Sequence, residues 1–121
     1  MADLQLLAKT EEIPSGTILN KPMDRIEHII VVLEGELCIE AQNKQYSKYC
    51  LGEILNEIYY LKPMPAIYQT RAVKTSTIAK IHFSDLDKLI ASDPAIGARI
   101  HAALNDSLCI KIIRHTHLEQ H

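Results

Sequence analysis

A single change of pattern at Ser84-Asp85 constrains the fold more than any other feature of the chain. Upstream, short β-branched runs are separated by turn residues; downstream, apolar residues recur at helical spacing and strand signals stop. Strands followed by helices, without strand–helix–strand alternation, leave an antiparallel β-barrel or sandwich with helices packed at one end. A chain of 121 residues has room for one core, so a single domain over 1–121 is expected. Its β part is expected over about 12–83 and its helices over about 84–93 and 94–116.

In chain order, Asp3 to Lys9 reads as a helical turn or an entry segment. Pro14-Ser15-Gly16 reads as a turn into a strand at Thr17-Ile18-Leu19. Asn20 to Glu27 is a polar loop. His28-Ile29-Ile30-Val31-Val32-Leu33 is the clearest strand, too short and too apolar for a surface helix. Glu34-Gly35-Glu36 interrupts it and Leu37 to Ala41 resumes. Gln42-Asn43-Lys44-Gln45 is a hairpin turn before a return strand at Tyr46 to Tyr49. Gln69 to Val73 and Thr77 to Phe83 are two further strands around Lys74-Thr75-Ser76. Ser84-Asp85 is expected to cap a helix with Leu86, Leu89 and Ile90 on its apolar face. Asp93 caps the next helix, with Pro94 in its first turn. Ile96, Ile100, Leu104 and Leu108 then repeat every four residues. Cys109, Ile110, Ile112 and Ile113 widen that band before the polar tail from His115 to His121.

The formal net charge of -2 gives no reason to expect nucleic acid as a partner. No apolar run approaches the roughly 18 residues of a membrane span, and the N-terminus lacks the basic start of a secretory signal. Cys38, Cys50 and Cys109 are an odd number without metal spacing, which points to reduced thiols, a cytoplasmic location and core packing for all three.

From Ile13 to about Arg114 the chain resembles the cyclic-nucleotide-binding domain. The fragments that carry the likeness are Pro14-Ser15-Gly16-Thr17-Ile18, the segment Ile29 to Leu37 around Gly35, Cys50-Leu51-Gly52-Glu53, Thr70-Arg71-Ala72, and the helix pair from Ser84-Asp85-Leu86 through Asp93-Pro94. A fainter likeness of the tail from Ser92 is to versions of this domain appended to sulfate-permease-type transporters. The resemblance implies a mainly β fold with C-terminal α, an antiparallel β-roll or jelly-roll (double-stranded β-helix) followed by two helices, the last one long. It also implies a ligand cradle in Leu51–Ala72. In that family the Gly-Glu pair opens a phosphate-binding cassette: the Glu accepts the ribose 2′-OH, backbone N–H groups at a short helix face the phosphate, and a downstream Arg pairs with it.

Gly52 and Glu53 fit that opening. The Arg position falls at Ala66, beside Ile67, and carries no charge; Pro22 and Lys48 stand where two family glycines are expected. The nearby cations are Lys62, a point charge without a planar fork, and Arg71, which strand alternation turns to the opposite face. Weak or lost affinity for cyclic nucleotides is therefore expected. Glu53 reads either as a ribose ligand or as a turn carboxylate. Glu57 reads as a satisfied or edge-exposed carboxylate rather than a functional one. The five tyrosines suit sheet rims and faces, or a pocket that stacks on a base. The helix band with Ile100, Leu104, Leu108 and Ile112 reads first as a core face and second as a seam for a homodimer or protein partner.

Three functions compete. One is a non-enzymatic regulatory module with an altered pocket, acting through protein contacts of its helical tail and without a cofactor. Another is a true cAMP or cGMP sensor whose anion site is rebuilt from Lys62, Arg71 and backbone N–H groups. The third is a small cupin-type protein, which needs a metal held by several His and a Glu; only His28 is available for it. No nucleophile–base or acid–base pair supports an enzyme. In DNA-binding relatives a helix-turn-helix follows the long helix; here the sequence stops, so no nucleic acid is expected as a partner. Met1-Ala2-Asp3 suggests a complete small chain.

Overall fold

The computed structural model describes residues 9–41 and 44–119. Eight strands precede the two C-terminal helices: β1 (Lys9–Ile13), β2 (Ile18–Asn20), β3 (His28–Glu34), β4 (Leu37–Ala41), β5 (Lys44–Tyr49), β6 (Ile54–Leu55), β7 (Gln69–Ala72) and β8 (Ser76–His82). A short helix α1 (Glu57–Leu61) lies between β6 and β7, and α2 (Phe83–Ser92) and α3 (Pro94–Glu119) complete the chain. Two four-stranded sheets, β1-β8-β3-β6 and β2-β7-β4-β5, are antiparallel throughout, the arrangement of a β-roll.

The apolar run of β3 is continuous because both of its faces are covered. Ile30 and Val32 join Ile13, Leu37, Tyr49, Leu55, Ala72 and Ile78 between the sheets. Ile29 turns the other way and packs with its cross-strand partner Ile81 against Leu86, Ile100 and Leu104 of the helices. A strand buried on both sides shows no alternation, unlike one with a wet face. The β3–β4 link turns on Gly35, at φ +92°, where a Cβ would meet the Ser76 hydroxyl at 2.3 Å. Ser76 is itself buried, accepts from the Glu36 N–H at 3.0 Å and donates to the Lys74 carbonyl at 2.8 Å.

Several local expectations are corrected. Lys9 begins a strand rather than ending an entry segment, and the polar residues of β1 follow from an edge position against β8. Most of that expected segment, and Gln42-Asn43, lie outside the described residues. The cap of α2 is His82, whose ring Nδ1 accepts the Ser84 N–H at 3.0 Å, so the helix starts at Phe83 and not after Ser84-Asp85. Asp93 does cap α3, its carboxylate accepting the Ala95 N–H at 2.9 Å. Only Cys38 is a core thiol; Cys50 at the turn after β5 and Cys109 on α3 are exposed. Gly97 lets α3 approach α2 closely, since a Cβ there would stand 3.1 Å from the Ile90 carbonyl.

Candidate functional site

The cassette opens with a turn fastened by backbone bonds. Gly52, at φ +83°, donates its N–H to the Val32 carbonyl at 2.7 Å, and the Glu53 carbonyl accepts the Val32 N–H at 3.0 Å. One oxygen of the Glu53 side chain accepts the Cys50 N–H at 3.2 Å and closes the same turn. Gly52, Glu53 and Ile54 form one wall of a cleft of about 320 Å³; Ala103, Asp106, Ser107, Ile110 and Lys111 of α3 form the other.

Past the turn, Asn56 takes a left-handed conformation, at φ 73°, and its amide donates to the His28 carbonyl at 3.0 Å. That bend aims the first residue of α1 inward. Glu57 is only 2% exposed, and its carboxylate accepts from Ser107 Oγ at 2.7 Å and Lys111 Nζ at 2.5 Å. Lys111 also lies 4.9 Å above the Tyr49 ring. A carboxylate removed from water needs partners of this kind, and both of these come from α3.

Downstream, Ala66 is buried and both of its peptide groups are committed. Its N–H donates to the Asp24 carbonyl at 2.9 Å, and its carbonyl accepts the Met23 N–H at 2.7 Å. The β2–β3 loop thus lies against the position carried over for the phosphate cation. Ile67 is exposed, and its N–H donates to the Tyr59 hydroxyl at 3.1 Å. Lys62 is an exposed residue that ends α1, its N–H bonded to the Ile58 carbonyl.

Arg71 lies elsewhere. On β7 its neighbours Thr70 and Ala72 are buried, so its side chain leaves on the opposite face. There it makes a two-armed pair with Glu40: Nε to Oε1 at 2.9 Å and Nη2 to Oε2 at 3.3 Å. Gln69 adds a third bond to the same carboxylate at 2.8 Å. The Arg71 fork, then Gln69, hold the Glu40 carboxyl below the usual range.

Among the residues singled out in the sequence, the fold brings Gly52 and Glu53 together and faces them with α3. It does not assemble Lys62, Ala66 and Arg71 into one site. Ile100 and Leu104, read first as a core face and second as a seam, are buried inside the domain, where they cover the outer face of β3 and β8. Leu108 is half-buried, Ile110 is 56% exposed, and the Ile112 side chain lies outside the described residues.

Ser107 and Lys111 were not singled out in the sequence. The available signal was their four-residue spacing, with Lys111 the one charge inside Cys109-Ile110-Lys111-Ile112-Ile113. A larger open cleft of about 890 Å³ lies on the other side of the cassette, between Tyr59, Tyr60 and Met64 on one side and Phe83 and Ile90 on the other. His28 has a His neighbour after all: pairing of β3 with β8 sets its ring edge-on to His82, centroids 5.0 Å apart. Burial, then Lys80 and His82, lower the pKa of His28. Among the described residues, no group of three or more His, Cys, Asp or Glu could hold a metal ion. No described helix is long and apolar enough to cross a membrane.

No family model matches the sequence, and comparison with curated proteins finds no match. Solved structures do match. The c-di-GMP-responsive global regulator CLP of Xanthomonas campestris superposes with a TM-score of 0.85 at 18% identity, over 96% of this chain and 59% of that one. A cyclic nucleotide-binding domain from Methylobacillus flagellatus gives 0.84 at 19%, over 91% and 65%. The cAMP-bound PfPKA-R gives 0.64 at 18%, over 84% and 36%. The chain therefore spans less than two thirds of each of these three. Two antiparallel four-stranded sheets, a short cassette helix and a terminal helix pair, matched in this way, give the chain the fold of cyclic-nucleotide-binding domains.

Proposed function

We propose that this chain is a non-enzymatic regulatory module in which the cyclic-nucleotide cassette has weak or lost affinity. Its output passes through α3 to a protein partner or a second copy. One observation carries the reading: Ala66, where the resemblance puts the phosphate cation, is buried with its N–H and carbonyl bonded to the β2–β3 loop. An arginine introduced there would have to displace that loop. Arg71, the available fork, is engaged by Glu40 on the far face of β7. A desolvated phosphate without a cation costs several kcal/mol, enough to remove useful affinity. The exposed Ile110 beside half-buried Leu108 supports a role for α3 in contacts.

The second reading, a genuine cAMP or cGMP sensor, draws on the retained Gly52-Glu53 turn and the cleft it shares with α3. Thermal melting with cAMP and with cGMP tests the two. A ligand present at about 100 times its Kd adds about 2.7 kcal/mol and raises the melting temperature by several degrees. No shift at millimolar nucleotide is the expected result; a saturable shift overturns the proposal in favour of the sensor. Light scattering then reads self-association through α3.

A further inference from the structure

The anion that ties the cassette to the long helix belongs to the chain itself. On adjacent turns of α3, Ser107 presents a hydroxyl and Lys111 an ammonium, and the Tyr49 ring lies beneath the ammonium. A hydroxyl, a cation and an aromatic wall make an anion site, and here the occupant is the Glu57 carboxylate. The burial of Glu57 distinguishes this from a surface pair: its side chain is 2% exposed and that of the partly buried Lys111 is 15% exposed.

We propose that Glu57 is a resident carboxylate that holds α3 against the cassette and fills a site able to take a small external carboxylate. The class of occupant follows from the neighbours. Ser107 and Lys111 also line the 320 Å³ cleft, which puts the carboxylate's two partners at the edge of open space. Glu53 and Asp106 line it too, and their charge disfavours a polyanion such as phosphate while admitting a compact monoanion. The inference rests on the reading that the cassette has lost its phosphate arm: the position of α3 then depends on Glu57 and not on a nucleotide.

The test is chemical rescue of the full chain. Glu57→Ala removes the carboxylate and leaves its volume empty. The variant is expected to melt several degrees below the parent and to lose hydrogen-exchange protection over 104–111. Sodium formate or acetate, but not chloride at equal ionic strength, then restores both in a saturable manner, and adding Lys111→Met abolishes the rescue. Unchanged protection over 104–111 in Glu57→Ala overturns the proposal, as does a formate response that equals the chloride response or persists in the double variant. If Glu57→Ala does not fold, the isosteric Glu57→Gln carries the test. It is expected to fold with reduced protection over 104–111 relative to 28–34, and equal protection in variant and parent overturns the inference. The two readings fail separately. A nucleotide-dependent shift of the parent protein removes the proposed function and leaves the rescue result standing, whereas absent rescue removes only the resident carboxylate.

Discussion

The Glu57–Lys111 pair and the Arg71–Glu40 pair use the same chemistry in opposite surroundings. Arg71–Glu40 has the better geometry, a planar fork with Gln69 as a third donor, and it lies on the outward face of β7 and β4 with its side chains 32% and 13% exposed. Glu57–Lys111 is a point charge against one oxygen, yet it lies between α1 and α3 with Glu57 buried and Lys111 15% exposed. Exposure weakens a pair through competition with solvent and salt; burial makes each partner dependent on the other. The sheet-face pair therefore decorates a strand register already set by backbone bonds. The buried pair determines where a helix sits.

That contrast gives an ordered set of outcomes. Lys111→Met leaves Glu57 buried without its cation and is expected to lower stability by about 3–5 kcal/mol in urea unfolding. Combining it with Glu57→Leu removes both charges and is expected to recover most of that loss; a double variant as unstable as the single one would mean that packing, not charge, sets the effect. Ser107→Ala, which removes the second partner of Glu57, is expected to cost about 1–2 kcal/mol by the same measurement. Arg71→Ala is expected to have a smaller effect than either, visible as a modest change in midpoint that shrinks further in high salt. A loss as large as that of Lys111→Met would erase the distinction between the two regions.

The smallest effect concerns acid. The Glu40 carboxyl is held below its ordinary value of 4.5 in the folded chain, first by the bond to Arg71. Its contribution is present above the unfolded value and is lost as pH falls through the lower folded value. The melting temperature of the parent should thus fall as pH drops below about 4.5, and Arg71→Ala should flatten that part of the profile.

What was legible in the sequence follows from the range of each interaction. The change from strands to helices at Ser84, the strands around Gly35, and the Asp93-Pro94 helix start are local signals, and the structure has them. His82 as a cap was not legible, because Ser84-Asp85 looked like the better cap and a ring nitrogen is an unusual acceptor there. Glu57 read as a satisfied or edge-exposed carboxylate, but Ser107 and Lys111 lie too far along the chain for any spacing rule to pair them with it. Cys50 and Cys109 read as buried on composition alone, whereas a turn and an outer helix face put them at the surface. Ile100 and Leu104 read first as a core face and lie in the core, whereas periodicity shows that a helix has an apolar face without showing what covers the rest of it.

The pairing of β3 with β8 has a consequence for the order in which the protein is made. His28 meets His82, so the ends of this ladder are separated by roughly fifty residues, and the loop-closure entropy falls due before the contacts form. On the ribosome the apolar run of β3 emerges long before β8 and the helices that cover its other face. Ile30 and Val32 lack their partner Ile78 until β8 follows, and Ile29 stays uncovered until Leu86, Ile100 and Leu104 of the helices follow as well. Completion of the roll therefore waits for β8, and the apolar face of β3 is exposed during that interval.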